Sequence, residues 1–178
     1  LLSSIPVMIV GYFLIIFNLI DHLRNIKIIG WTTLIFGILL YISDKFEITN
    51  KVEDNFTYKS AIIIGLFQIL SLIPGVSRSG ITITAARILK FQRFDSAKIS
   101  FLLSLPTLSA VTLFGFKNVI EKGNRDFSII NLVSISLSFF FSLITIKYFL
   151  KYIKNFSLNI FVFYRVILGI ILIIFAYL

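Results

Sequence analysis

The sequence predicts an all-α fold, a polytopic membrane bundle of five transmembrane helices and one re-entrant hairpin of broken helices. Three observations predict it. Apolar residues make up 58% of the chain and charged residues 14%, against about 45–50% and about 25% in soluble domains. The charges are also spaced apart: uncharged runs cover residues 1–20, 28–43, 60–77, 99–116 and 127–146, with lengths of 20, 16, 18, 18 and 20. A helix needs about 20 apolar residues, range about 17–25, to cross hydrocarbon roughly 30 Å thick. Finally, the third run ends in a Pro-Gly turn and an arginine, which a simple spanning helix would not carry. Residues 1–178 read as one integral membrane domain, with the hairpin at about 60–91.

Taken in order, the first span runs from about Leu2 to Ile20, with Pro6 in its opening turns, where a missing backbone donor costs little. A polar link, Asp21 to Lys27, leads to a second span at about Ile28 to Ser43, with Trp31 and Tyr41 near its ends as interfacial aromatics. Asp44 to Lys59 holds four acidic and three basic residues and reads as a water-exposed loop. Ala61 to Ile73 and Ile81 to Lys90 read as helices of 13 and 10 residues, roughly 20 Å and 15 Å long at 1.5 Å per residue. Neither crosses a bilayer alone. They read as a hairpin that enters and leaves by one face, its irregular turn tolerated only where protein or a water-filled cavity surrounds it. Three spans follow: Ile99 to Phe116 with Pro106 inside it, Phe127 to about Leu150, and about Leu158 to Leu178 with Arg165 inside it.

With a re-entrant hairpin, ten Lys and Arg residues fall on one face and five on the other. Positive residues favour the cytoplasm, so the hairpin is expected to enter from that side of the membrane and the C-terminus to lie outside. The net charge of +9 does not indicate nucleic acid, because the cations sit in short links between apolar runs. The absence of Cys excludes disulfides, thiol nucleophiles and Cys-type metal sites, and a lone His22 in a polar link excludes a multi-histidine site. The opening run begins on Leu1 with no basic region or cleavage site before it. It reads as a spanning helix entered mid-sequence rather than a signal peptide, and the chain as part of a longer protein.

Arg78 is the residue that needs explaining. The segment from Ser60 to Ala86 holds no other charge, and an ionised group at mid-membrane costs at least about 2.5 kcal/mol on insertion scales. Around it stand Ser77, Ser79, Thr82 and Thr84, with Gly75 and Gly80. The glycines allow a tight turn and close approach of backbone to a ligand. The hydroxyls are short donors, and the helix that follows aims its free N–H groups at the turn. A guanidinium fork matches phosphate oxygens. Together these read as an anion site at membrane depth, with phosphate the best fit. Other readings stand beside it: Arg78 paired with a carboxylate of another helix, or snorkelling to a headgroup. Thr84 reads as a helix back-bonder, Gln68 as either a buried donor behind the turn or helix glue, and Arg165 as a side chain snorkelling to the interface in preference to a ligand.

The string Leu72-Ile73-Pro74-Gly75-Val76-Ser77-Arg78-Ser79-Gly80-Ile81-Thr82-Ile83, followed by Ser100-Phe101-Leu102-Leu103-Ser104-Leu105-Pro106, resembles the second signature region of the bacterial undecaprenyl-diphosphate phosphatases. Tyr164-Arg165 and the order of spans also fit, so the resemblance covers essentially the whole chain. Phosphatases of the phosphatidic-acid type also use Ser-Arg but require a His six residues after the Arg, where this chain has Thr84.

The resemblance implies an integral membrane hydrolase that converts the C55 isoprenyl diphosphate to its monophosphate and inorganic phosphate. That reaction recycles the carrier lipid for peptidoglycan synthesis and is linked to bacitracin resistance. It further implies two inverted repeats, this chain supplying the second. Arg78 would grip the diphosphate, and Ser77 would contact or attack it. Ser79 and Thr82 would donate to its oxygens, with Gly75 and Gly80 shaping the binding loop and Gln68 and Arg165 standing behind them. The family's other signature, Glu-Gly-x-x-Glu-Phe-Leu-Pro-x-Ser-Ser with a following His, supplies the acidic groups thought to hold Mg²⁺ or Ca²⁺, and this chain lacks it. The eight Asp and Glu residues all read as links, so no metal ligands are expected here and the chain alone is expected to be inactive. The expected partners are the isoprenyl diphosphate and the bilayer, with a homodimer left open. An alternative function is a transporter or flippase for an anionic lipid, since broken helices at the midplane bind anions in many carriers; a further one is a structural subunit that uses Arg78 only for assembly.

Overall fold

A computed structural model of the chain describes residues 2–17, 23–46, 48–121 and 129–178. The predicted end of the first span at Ile20, the link around His22, and the cations Lys122 and Arg125 lie outside the described residues. The described residues form eight α-helices: α1 (Ile5–Ile16), α2 (Ile26–Asp44), α3 (Val52–Asn55), α4 (Tyr58–Ile69), α5 (Arg78–Ile88), α6 (Arg93–Glu121), α7 (Ile129–Asn155) and α8 (Asn159–Tyr177). Single 3₁₀ turns precede α1 at Leu2–Ser4 and follow α4 at Leu70–Leu72. Four of these helices are long and apolar enough to span a membrane, namely α2, the Arg93–Leu113 part of α6, α7 and α8. Where five spans are predicted, the first appears among the described residues only as a shorter apolar helix, Leu2–Ile16.

The most extensive helix–helix contact is α2 against α8. Its partners run antiparallel: Gly30 meets Ile173, Leu34 meets Gly169, and Gly37 meets Arg165, with any added Cβ landing 2.9–3.2 Å from its neighbour. Small residues at such a seam let two backbones approach, which is how apolar helices gain contact when lipid removes the hydrophobic drive. Against this pair lies α5, buried continuously from Ile81 to Arg87. A helix enclosed on all sides must satisfy its polar groups internally. Accordingly the Thr84 hydroxyl bonds the Gly80 carbonyl at 2.8 Å, and Thr82 Oγ1 lies 2.9 Å from the Arg78 carbonyl and 2.7 Å from Ser100 Oγ on α6.

The two half-helices predicted at residues 60–91 are present as α4 and α5, packed on each other. Thr57 caps α4 by accepting from Ser60 N, and Ser77 caps α5 by accepting from Gly80 N. The turn between them rests on α2, where Thr32 Oγ1 donates to Pro74 O at 2.6 Å and Thr33 Oγ1 to Gly75 O at 3.2 Å. Thr33 lies seven residues inside α2 from Ile26 and eleven from Asp44, about 10 Å and about 16 Å along the axis. The open end of the hairpin returns to the far end of α2, where Arg87 Nη2 donates to Asp44 O at 2.8 Å.

One expectation holds in part and one needs correcting. The stretch after Asp44 is largely exposed, as expected, but it is not irregular throughout. It contains α3, and it is tied to the hairpin by Thr49 N and Asn50 N donating to Lys90 O, Asn50 Nδ2 donating to Leu89 O, and Val52 N donating to Asp95 Oδ2. Nor do all acidic residues stand in links: Asp44 closes α2 and is only 5% exposed, because two guanidiniums reach it.

Candidate functional site

The turn of the hairpin is built from residues that few other sequences could supply. Gly75 holds φ +91, and a Cβ there would collide with Thr32 Oγ1 and the Ile29 carbonyl on α2. Glycine alone accepts both the left-handed backbone and the contact. Ser77 also has positive φ, +67, unusual for a residue with a side chain. It turns the chain into α5 so that the first backbone N–H groups of that helix face the turn.

Arg165 sets the geometry of this turn. Its Nη2 donates to the carbonyls of Gly75 and Val76, both at 2.9 Å. The side chain is 8% exposed, so it does not snorkel to the interface as the sequence suggested. A guanidinium in an apolar helix must still find acceptors for its donors, and here the backbone carbonyls of the turn supply them. Its Nη1 passes beside Gly80, where an added Cβ would stand only 2.7 Å away. Arg165, Ser77, Ser79 and Gly80 thus share one cavity of about 490 Å³, which Tyr164 and Gly75 also line. The Ser77 and Ser79 hydroxyls are exposed to it and lie 3.5 Å apart.

Arg78 turns the other way. Its Nη1 donates to Thr107 Oγ1 at 2.6 Å and reaches the Ser104 carbonyl at 3.4 Å on α6. Pro106 lies between them inside α6 and has no N–H to offer the Leu102 carbonyl one turn earlier. Ser104 and Thr107 hydroxyls donate to nearby helix carbonyls there. Half-buried, Arg78 lines a second cavity of about 560 Å³ between α1 and the hairpin, together with Gln68, Ser71, Thr107 and Tyr12. Gln68 is fully buried and neither amide atom finds a hydrogen-bond partner among the described residues.

The predicted set is therefore divided. Ser77, Ser79, Gly80, Gly75 and Arg165 come together on one side of the α5 N-terminus, and Arg78 and Gln68 on the other. Thr82 reaches neither cavity; it is 1% exposed and bonded to Ser100. No carboxylate lines either cavity, and no cluster of three His, Cys, Asp or Glu occurs among the described residues. Hydroxyl and guanidinium donors suit an anion and do not fit a divalent cation, which needs oxygen acceptors.

Fold and turn together define a multi-pass membrane protein with a broken-helix hairpin whose tip is lined by hydroxyl and guanidinium donors. Residues 1–171 match the family described as bacitracin resistance protein BacA, and the chain belongs to that family. It is 52% identical over 178 residues to the undecaprenyl-diphosphatase of Pelagibacter ubique (strain HTCC1062), covering 99% of this chain and 69% of that protein. It is 41% identical over 177 residues to the undecaprenyl-diphosphatase of Jannaschia sp. (strain CCS1), covering 99% and 66%. The namesake from Teredinibacter turnerae (strain ATCC 39867 / T7901) is 42% identical over 174 residues, covering 96% and 64%. The chain thus spans about two thirds of the length of these relatives.

Proposed function

We propose that this chain carries the diphosphate-gripping part of an undecaprenyl-diphosphate phosphatase. The enzyme hydrolyses undecaprenyl diphosphate: water adds to the terminal phosphorus, the bridging P–O bond breaks, and undecaprenyl phosphate and inorganic phosphate leave. Recycling of the carrier lipid supports peptidoglycan synthesis and underlies bacitracin resistance. The observation that carries this reading is the turn itself: a positive-φ serine at the start of a buried helix, its hydroxyl beside that of Ser79 and beside a buried arginine held on the turn's own carbonyls.

In this reading the diphosphate sits over the first turn of α5 with a guanidinium on each side. Arg165 Nη1, the Ser77 and Ser79 hydroxyls and the backbone N–H groups take oxygens from one side. Arg78 takes them from the other, through the donors that Thr107 does not use. Charge that builds on the phosphoryl oxygens in the transition state then meets donors already fixed in place. Gln68, its buried amide without a partner among the described residues, stands beside Arg78 in the same cavity, and Thr82 fixes α5 to α6 through Ser100. The divalent cation implied by the resemblance, Mg²⁺ or Ca²⁺, would take its ligands from the acidic residues of the family's other signature, which is not among the 178 residues of this chain.

The hairpin is re-entrant, opening to the cytoplasm with the C-terminus outside. Re-entry is supported by the turn lying partway along α2, by α5 ending beside Asp44, and by Phe56 ahead of α4 packing on Phe91 just past α5; the orientation is supported by the ten-to-five split of Lys and Arg. Transport of an anionic lipid finds no observation in its favour, whereas the named relatives are diphosphatases. The test is phosphate release from a polyprenyl diphosphate by the full-length protein in detergent. Arg78→Ala and Arg165→Ala should each lower turnover by on the order of 10²-fold, the usual cost of one preorganised charge-stabilising donor. Unchanged turnover in both would overturn the reading.

A further inference from the structure

At the open end of the hairpin, away from the turn, a third cavity of about 660 Å³ gathers the ends of α2, α5, α6 and α8. Its floor is an ion cluster around one carboxylate. Asp44 Oδ1 receives Arg93 Nε at 2.7 Å and faces Arg87 Nε at 3.5 Å, while Oδ2 accepts from Leu158 N at 3.3 Å. Arg87 is fully enclosed and spends its terminal nitrogens on the carbonyls of Phe91, Asp44 and Phe46 at 2.7–2.9 Å. It is a structural rivet.

Arg93 differs. Its side chain is 34% exposed, and beyond the Nε bond its two terminal nitrogens meet no acceptor among the described residues. Lys45 also lines the cavity, its ammonium resting over the Tyr41 ring at 4.3 Å without a carboxylate partner among the described residues. Three cations thus share one carboxylate among the described lining residues, and the neutral polar groups beside them, Thr49, Ser157 and Asn159, are donors as readily as acceptors. The rim is different again: Tyr41, Phe46 and Ile48 are 38%, 42% and 52% exposed. A surplus of positive charge beneath an apolar rim, at the ends of membrane-length helices, matches an amphipathic anion.

We propose that this cavity binds the phosphate of an anionic phospholipid headgroup, seated on Arg93 and Lys45 with the acyl chains passing over Phe46 and Ile48. The chemistry recognised, a phosphate oxyanion, is shared with free inorganic phosphate. What favours the lipid is the apolar rim and the position of the cavity, where α2 ends and α8 begins, at the depth that headgroups occupy. Basic pockets between helix ends are the usual form of such sites. The site is separate from the hairpin turn and does not depend on the diphosphatase reading.

The experiment is native mass spectrometry of the full-length protein released from nanodiscs containing either phosphatidylglycerol or phosphatidylcholine, with phosphate titrated separately. The expected result is one retained phosphatidylglycerol and no retained phosphatidylcholine. Retention should fall about five-fold in Lys45→Gln, since one Lys or Arg near a lipid surface contributes about that factor. Lys45 leaves the Asp44 cluster intact, so loss of folding is not confused with loss of the site, and Arg93→Lys, which keeps the charge, should retain more lipid than Arg93→Gln. Equal retention of both lipids, retention unchanged in Lys45→Gln, or displacement of the lipid by millimolar phosphate would each overturn the proposal.

Discussion

Single residues at the hairpin turn face demands that no other residue type meets. Gly75 combines positive φ with backbone contact to α2, so Gly75→Ala should destabilise the protein by more than about 1 kcal/mol, since an Ala forced to positive φ loses that much before any clash is counted. A thermal melt in detergent checks it; a melt matching the parent would mean the turn can rearrange. Ser77 distinguishes attack from binding. If its hydroxyl attacks phosphorus, Ser77→Ala abolishes turnover and the parent protein traps a phosphorylated serine on rapid quenching. If it only holds an oxygen, the loss is modest and no phosphoserine forms. Arg78 was legible in the sequence because an isolated charge in an apolar run demands a reason. Arg165 sent the same signal from within α8. Its role could not be read there, because the acceptors it uses lie ninety and eighty-nine residues earlier, on Gly75 and Val76.

Among elements, the hairpin was the feature the sequence revealed best. Half-length apolar segments joined by Pro-Gly can only be short helices, and α4 and α5 are 12 and 11 residues long. Their boundaries shifted by a few residues. The sequence reading began α5 at Ile81, but the Ser77 cap starts it at Arg78, and α6 begins at Arg93 rather than Ile99. Charge spacing marks where hydrocarbon ends, and helices continue past that point. How the turn is held was not legible, since Thr32 and Thr33 look like ordinary hydroxyls in an apolar helix. Thr32→Val removes the 2.6 Å bond to Pro74 O and leaves a half-buried carbonyl unpaired, a cost of about 1 kcal/mol. The expected result is a lower melting temperature together with reduced phosphate release; a change in neither would show the turn is held without it.

Across the whole molecule, Asp44 holds the open end together, joining α2 to α5, α6 and the start of α8 through Arg87, Arg93 and Leu158 N. Asp44→Ala leaves Arg87 enclosed with an uncompensated charge, and breaking a buried pair in this way costs about 3–5 kcal/mol. Little folded protein should be recovered by size exclusion in detergent, and parent-like recovery would mean the cluster carries no weight. Topology is checked at the same scale. The chain has no cysteine of its own, so Leu178→Cys should be labelled by a membrane-impermeant thiol reagent in intact cells and Lys51→Cys should not; the reverse pattern would invert the orientation.

The sequence alone determined that the chain is helical and membrane-embedded, that one run is broken at its middle, and that an arginine stands at the break. Each of these follows from the cost of placing charge or unpaired backbone in hydrocarbon, a cost that acts locally and leaves its mark in the order of residues. Only the tertiary structure decided which side of α5 each arginine serves, that Arg165 locks the turn, and that Asp44 is buried among cations. Those outcomes depend on contacts between residues up to 114 positions apart, and no local pattern encodes which distant donor will meet which acceptor.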